Sequence, residues 1–334
     1  MKQRAMIVTT SFERLHLKKM PQHTMSSHNR RRSRSSKYLR VQAYSSFAYA
    51  HHTIANERHP NRNEDRVLVD ELAGLTAVFD GVGGSAAGEI ASQTAAHAAR
   101  RAWERLFQPQ KKHARLRRTL ENCDQVDLCS ILQDVIAAAD EAVRNDGAIR
   151  AGTDDLATTV ALGALCKDTE TQNHKLIYGH VGDSRIYLLH EQEPLQRLTN
   201  DDGLLAVLVE KQLVNEAEAM SIDQAMQSTQ LSDAEYSYFR LRGGITQALG
   251  GPLPPTIHLD QIMVKPGDRV LLCTDGIHDN LTDKEIEHTL RSTPRTTAAH
   301  QLVEQSLRRS HQDLDTTIRA KPDDMSAIVV TCRF

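Results

Sequence analysis

No stretch of this chain stays apolar for the roughly 18 residues that a membrane-spanning helix requires, so no transmembrane segment is expected. Cysteine is scarce and irregularly placed, at 123, 129, 166, 273 and 332, with no C-x-x-C pair. An odd number without close pairs argues against a disulfide framework and against a cysteine-rich zinc site, and it suits a reducing cytoplasm. A thiolate that cradles phosphate needs an arginine six residues further on. The residues at that distance from Cys123, Cys129, Cys166 and Cys273 are Cys129, Val135, Gln172 and Asp279, so that chemistry is excluded too. No internal repeat is visible, and the first 40 residues lack the apolar stretch of a secretory signal.

The 334 residues present are enough to bury a sizeable core. A formal charge of −2 hides an asymmetry. Residues 1–40 hold 11 of the 41 basic residues and a single acidic one, Glu13, so the body of the chain is net acidic. Nucleic acid is therefore not an expected partner. The arginine- and serine-rich run "HNRRRSRSSKYLR" reads as a disordered basic tail over 1–40, ahead of a domain over 41–334.

Short β-like runs begin near Val41. "RVLVDELAGLTAVFD" reads as two strands around an Ala73-Gly74 hairpin, followed by a helix over 86–107 with small and apolar residues at helical spacing. A second amphipathic helix is expected over 126–144, ending at Asn145-Asp146-Gly147. "LATTVALGALC", "KLIYGHVGD", "RIYLLH" and "LQRLT" follow at hairpin-like spacing, which implies antiparallel pairing because parallel strands need long crossovers. Residues 203–243 are polar and helix-prone, an insertion or lid. Two strands around Pro266-Gly267, helices at 283–292 and 297–309, and a last strand "MSAIVVTCRF" complete the pattern of one α+β domain.

The stretch "LTAVFDGVGGSAAGEIAS" runs a strand into a glycine bend and a helix, and admits three chemistries. As a dinucleotide loop it would place pyrophosphate beside the Asp80 carboxylate, which repels it, and the acid expected about 20 residues on is missing from "RRAWER". As a nucleophile elbow around Ser85 it lacks the second glycine, since Ala87 fills that place. A metal anchored on Asp80 is the better lead. Four segments share one design, a β-type run with aspartate at an adjoining turn: "TAVFDG" (Asp80), "YGHVGDSR" (Asp183), "LLCTDG" (Asp275) and "KPDDMSAIVV" (Asp323, Asp324). "NRNEDRVLV" adds Glu64 and Asp65 just before a strand. Any one could be an ordinary Asx turn. Gathered at one rim, they would repel unless a hard divalent ion neutralised them.

The ordered set of motifs resembles the metal-dependent serine/threonine protein phosphatases of type 2C (the PPM family) in their bacterial form. It comprises "NED" (63–65), "VFDGVGG…GE" (78–89), "GTDDLATT" (152–159), "HVGDSRIYLL" (180–189), "LTNDD" (198–202), "ITQALGG" (245–251), "GDRVLLCTDGIHDNLTDKEI" (267–286) and "DDMSAIVV" (323–330), across roughly residues 41–334. The resemblance implies a four-layer α-β-β-α sandwich of two antiparallel sheets, with a flap at about 199–243. It implies two Mn²⁺ or Mg²⁺ ions, with a third, weaker site. Asp80 would bridge the two ions, the Gly81 carbonyl would bind one, and Asp275 and Asp323 would hold the other. Glu64 and Asp65 match an acidic pair acting directly or through water, and Asp183 with Asp275 matches the third site. The implied reaction is hydrolysis of phosphoserine and phosphothreonine monoesters by a metal-bridging water. Phosphorylated proteins and a cognate Ser/Thr kinase are the implied partners of a cytoplasmic monomer.

Three departures from the family pattern bear on the site. The arginine that usually holds substrate phosphate, five residues before Asp65, is replaced by Pro60, leaving Arg62 as the candidate although it is out of register. The asparagine after the last metal aspartate is Asp324, still a conceivable ligand. Val82 stands where eukaryotic members carry a histidine, and His180 is read as a structural strand residue. The change at Pro60 motivates a second reading, a catalytically weak or inactive phosphoprotein-binding regulatory module on the same fold.

Overall fold

The computed structural model describes residues 46–82, 86–107, 128–167 and 173–334. The basic tail, the polar segment after the first long helix and the Gly83-Gly84-Ser85 bend lie outside these residues. Strand β1 (Phe47–Ile54), β2 (Arg66–Asp70), β3 (Leu75–Phe79) and the short β4 (Gly81–Val82) lead into helices α1 (Ala86–Phe107) and α2 (Leu128–Ala142). After the helical turn α3 (Ala148–Ala151) come β5 (Ala157–Thr158), β6 (Val160–Lys167), β7 (His174–Val181), β8 (Arg185–Leu189) and β9 (Gln196–Arg197). Helices α4 (Leu204–Glu210), α5 (Glu216–Asp223) and α6 (Asp233–Arg240) form the insertion. The chain closes with β10 (His258–Val264), β11 (Arg269–Cys273), α7 (Asp275–His278), α8 (Asp283–Ser292), α9 (Ala298–Ser310) and β12 (Met325–Cys332).

Two five-stranded antiparallel sheets result, in the orders β1-β12-β11-β8-β9 and β10-β7-β6-β3-β2, with β4 and β5 as a separate pair. Their central strands are buried at nearly every position because both faces are covered, and alternation still decides which layer each side chain enters. In β12, Ile328, Val330 and Cys332 face the layer between the sheets, where they meet Val78, Leu176, Ile186 and Leu272. Met325, Ala327 and Val329 point the other way, onto Ile286, Leu290, Leu302 and Val303 of α8 and α9. In the second sheet, Leu75, Ala77 and Phe79 of β3 and Leu162 and Ala164 of β6 carry α1 and α2. Four layers, α-β-β-α, follow from this split.

The helices form where apolar side chains recur three or four residues apart. Along α1, Ala91, Ala95, Ala99 and Trp103 make one buried stripe, and the alanines let the helix lie close. Fully buried Trp103 donates its indole N–H to the Ala73 carbonyl at 3.2 Å, tying the helix to the β2–β3 hairpin, which turns through Gly74 at φ 68. Helix α8 starts at a capping box in which Thr282 and Glu285 satisfy each other's amides. The second helix runs on past the expected stop at Asn145-Asp146-Gly147. A π turn over Val143–Gly147 passes directly into α3. Gly147 keeps an ordinary helical φ of −66 and serves close packing, since a Cβ there would stand 3.3 Å from Leu156 Cδ2. The left-handed stop is Gly152, φ 68.

The insertion has its own small core of Leu208, Val214, Ile222, Ala225 and Phe239. Two buried guanidiniums fix it to the sandwich. Arg185 of β8 pairs with Asp201 at 2.6 Å and Asp223 at 2.9 Å. Arg319, fully buried, donates to the carbonyls of Asp223 and Ala225 on one side and of His278 and Leu281 on the other.

Register decides where the acidic turns fall. Arg66 opposes Phe79, Val78 opposes Ala161, and Val160 opposes Val181, so the start of β2 and the ends of β3 and β7 share one rim. In the other sheet Cys273 opposes Ala327, bringing the end of β11 beside the start of β12. Backbone contact at this rim is tight enough to exclude a side chain: a Cβ on Gly276 would lie 1.9 Å from the Asp324 carbonyl oxygen. Gly276→Ala is expected to destabilise the fold by about 1–3 kcal/mol, the usual cost of overpacking. An unchanged midpoint in urea unfolding would contradict this.

Candidate metal centre

Each acidic side chain is delivered by a strand end. Asp80 follows β3, Asp183 follows β7, Asp275 opens α7 after β11, Asp323 and Asp324 precede β12, and Glu64 and Asp65 precede β2. Local hydrogen bonds hold these turns. The Asp80 carbonyl accepts from the Thr159 amide and the Thr158 hydroxyl, both at 2.8 Å. The Asp183 carbonyl accepts from His278 Nε2 at 3.0 Å. The Thr274 hydroxyl donates across the sheets to Asp65 Oδ2 at 2.8 Å. Gly81 is required by crowding: a Cβ would meet Gly88 O at 2.2 Å and Glu64 O at 2.8 Å. The glycine thus lets three backbone segments converge, a stronger demand than approach to an ion alone.

The carboxylates form one electrostatic cluster. Burial pushes the Asp80 carboxyl well above its usual range, and Asp275, Asp65, Asp323 and Asp183 push it further. Asp183 is raised by burial, then by Asp275 and Asp201. Asp65 is raised by burial against the hydrogen bonds of Ser326 and Thr274. Asp323 is pushed up to about 7, chiefly by burial and then by Asp275. Among the described residues, the carboxylates of Asp80 and Asp183 have no hydrogen-bond or ion-pair partner, and Asp65 Oδ1 is buried and unpaired. Buried anionic oxygens without donors are costly. Their number, type and convergence fit hard divalent ions, which take oxygen ligands and neutralise the repulsion.

Other members of the predicted set stand further out. Glu64 is raised by burial and lowered by Arg62, whose Nε lies 3.2 Å from Glu64 Oε1. That contact puts Arg62 at the edge of the acidic rim. Pro60 sits in the preceding turn, where the His59 amide donates to the Asn56 carbonyl. Asp324 holds the turn in place: Oδ1 accepts from the Asn56 amide at 2.6 Å and Oδ2 from the Glu64 amide at 2.7 Å. Both oxygens are committed to the backbone, so Asp324 clamps the Glu64 segment instead of presenting a free carboxylate to an ion. His180 is buried at the base of the flap, with Nε2 2.8 Å from the Asn200 carbonyl and its ring stacked on His258. His258, Asp202 and His180 cluster there, with Asp202 also accepting from the Gly182 amide at 2.9 Å.

Three residues at the site escape the sequence reading. Lys321 Nζ reaches Asp275 Oδ2 at 2.5 Å, Asp279 Oδ2 at 2.7 Å and Asp323 Oδ2 at 3.1 Å. Burial alone would raise the Asp279 carboxyl, but Arg242 and Lys321 beside it hold it well below the usual range. Arg242 comes from the C-terminal end of the flap, its Nε 3.3 Å from Asp279 Oδ1. Asp279 was visible in "TDGIHD" as a second acid one helical turn after Asp275. Nothing in the spacing singled out Lys321 or Arg242.

Because Asp65, Asp80, Asp183 and Asp323 have raised values, they retain protons at pH values where free carboxyls have lost them. Divalent ions must displace those protons. Mn²⁺ affinity is therefore expected to increase with pH, at least about tenfold between about pH 5.5 and 7.5, with protons released on binding. Calorimetric titration in two buffers of different ionisation enthalpy measures the release; a pH-independent affinity would contradict the cluster's electrostatics.

Comparison with known proteins agrees with this geometry. The family model described as protein phosphatase 2C matches residues 55–318, most of the sandwich, stopping short of Asp323. The serine/threonine protein phosphatase PstP of Mycobacterium tuberculosis is 29% identical over 266 residues, covering 77% of this chain. The chain spans 42% of the length of that relative. The crystal structure of the M. tuberculosis PstP/Ppp phosphatase superposes with a TM-score of 0.63 at 26% identity, covering 86% of this chain and 99% of that one. A PstP catalytic domain in complex with two manganese ions gives a TM-score of 0.61 at 26% identity, over 86% of this chain and 99% of that one. With the fold, the ordered motifs and the family match in agreement, the chain belongs to the protein phosphatase 2C family.

Proposed function

We propose that the protein is a metal-dependent serine/threonine protein phosphatase that hydrolyses phosphoserine and phosphothreonine monoesters. The observation that carries this reading is the convergence of acidic side chains at one rim, where Asp65 Oδ1 is buried and unpaired and, among the described residues, the carboxylates of Asp80 and Asp183 have no hydrogen-bond or ion-pair partner. Asp80, the Gly81 carbonyl, Asp275 and Asp323 would hold two Mn²⁺ or Mg²⁺ ions, with Glu64 and Asp65 completing the set directly or through water. When bound, such ions supply Lewis-acid charge to phosphoryl oxygens and lower the pKa of water enough for attack at neutral pH. The manganese pair in the PstP catalytic domain supports this assignment.

The chain's own residues do the remaining work. Thr158 and Thr159 fix the Asp80 turn, and Asp324 fixes Glu64. Arg62, beside Glu64 at the acidic rim, would bind the phosphate of the substrate, in the role lost at Pro60; its contact with Glu64 supports this. The helical insertion shapes access. A Ser/Thr kinase must supply the phosphoprotein, so such a kinase is the natural partner. Buried Cys273 and Cys332 are free thiols, which favours the reducing cytoplasm.

Release of phosphate from a phosphothreonine peptide is expected to require Mn²⁺ and to stop with EDTA. Asp80→Asn should lower kcat/KM on the order of 10³-fold, since several kcal/mol of transition-state stabilisation depends on the ions. Arg62→Ala should raise KM about tenfold with little change in kcat, as loss of a charge-assisted phosphate contact would. The competing reading, a phosphoprotein-binding module without turnover, is favoured by Pro60. It prevails if the protein binds the phosphopeptide but shows no metal-dependent turnover, and Asp80→Asn changes nothing.

A further inference from the structure

We infer that Lys321 is a resident cation of the acidic centre, its ammonium standing in the place of a third divalent ion. The inference rests on the proposed ion-binding role of the cluster and concerns how many ions it takes. A third ion, as the family resemblance implies, would use Asp275 together with Asp183 beside it. In this chain Lys321 Nζ already lies 2.5 Å from Asp275 Oδ2, 2.7 Å from Asp279 Oδ2 and 3.1 Å from Asp323 Oδ2. Of the three N–H donors of an ammonium, two are given to Asp275 and Asp279, and the Asp323 carboxylate stands within ion-pair distance. A third ion sharing Asp275 Oδ2 would sit against that ammonium, and like charges at such separation repel strongly, whereas among the described residues Asp275 Oδ1 has no hydrogen-bond or ion-pair partner and stays open to the second ion.

The position of the lysine is built into the fold. Fully buried Asn280 clamps its backbone from both sides. Asn280 Oδ1 accepts from the Lys321 amide at 3.1 Å, and Asn280 Nδ2 donates to the Lys321 carbonyl at 2.8 Å. The same Nδ2 donates to the Gly276 carbonyl at 3.0 Å, so one amide side chain registers the lysine segment against the turn that carries Asp275. The end of the flap lies beside the ammonium. A Cβ on Gly243 would stand 3.6 Å from Lys321 Nζ and 3.7 Å from Asp279 Oδ2. Arg242, next to it, pairs with the other oxygen of Asp279. Asp279 is thereby neutralised from two sides by residues that never dissociate, where an ion would come and go. Lys321 is accordingly a positioning residue, one that sets ion number and orients Asp275 and Asp323.

Equilibrium dialysis of the full chain against millimolar Mn²⁺, with metal quantified by mass spectrometry, tests this. The wild type is expected to retain two ions. Lys321→Met, similar in length and uncharged, should take a third, bound at least about tenfold more tightly than any third ion of the wild type. Lys321→Arg, which keeps the charge, should stay at two. A third ion in the wild type with the affinity seen in Lys321→Met overturns the inference, as does a Lys321→Met variant that still stops at two. The wild-type titration decides by itself should Lys321→Met fail to fold, because a third ion there is already incompatible with a resident ammonium. A folded wild type that binds no Mn²⁺ would instead remove the metal-centre reading itself.

Discussion

The structure is organised around a concentration of like charge. Two sheets bring Glu64, Asp65, Asp80, Asp183, Asp275, Asp279, Asp323 and Asp324 to one rim, with Arg62, Arg242 and Lys321 among the cations that pair with them. Folding works against this repulsion, and the hydrophobic layers supply the opposing drive. The strands behind the rim are buried on both faces, with their apolar side chains packed either between the sheets or under a helix pair. Part of the cost is answered by hydrogen bonds that commit a carboxylate to structure, as at Asp324. The rest stays as partnerless oxygens, which is the chemistry a divalent ion needs.

Close backbone contact is the second requirement. Gly81, Gly88 and Gly276 stand where main chains cross within less than a side chain's reach. The glycines of the family motifs therefore serve geometry at least as much as ligation. They allow the Glu64 segment, the start of α1 and the Asp80 turn to meet, and they allow α7 to begin directly against the Asp324 carbonyl. Carboxylate spacing at the centre depends on these contacts, so a methyl group at Gly276 acts on the site without touching an ion.

The flap is linked to the same charge system. Arg185 and Arg319 fix it through Asp201, Asp223 and backbone carbonyls, while Arg242 reaches from its C-terminal end to Asp279. Its position is thus set by buried guanidiniums that pair with carboxylates and backbone carbonyls, and not only by its small core. Composition alone shows a polar helical insertion. Its attachment depends on arginines widely separated in sequence, and no local pattern reports them.

The sequence by itself determined the layer pattern and the recurrence of acidic residues at strand ends. Strand alternation, short turns and helical spacing are local, so β2–β3, β6–β8, β10–β11 and the helix pairs were legible, as was the recurrence of aspartate at strand ends. The stop at Gly147 was misplaced because a glycine needed for packing looks the same in sequence as one needed for a left-handed turn; Gly152 fills the second role. Tertiary structure alone decided which carboxylates are free and which are used. Asp323 and Asp324 are adjacent and chemically identical, yet one joins the cluster and the other binds two backbone amides more than 250 residues away. The same is true of Lys321, whose ammonium enters the site only because Asn280, 41 residues earlier, fixes its backbone. Such pairings arise from sheet register and long-range hydrogen bonding, which leave no periodic trace in the chain.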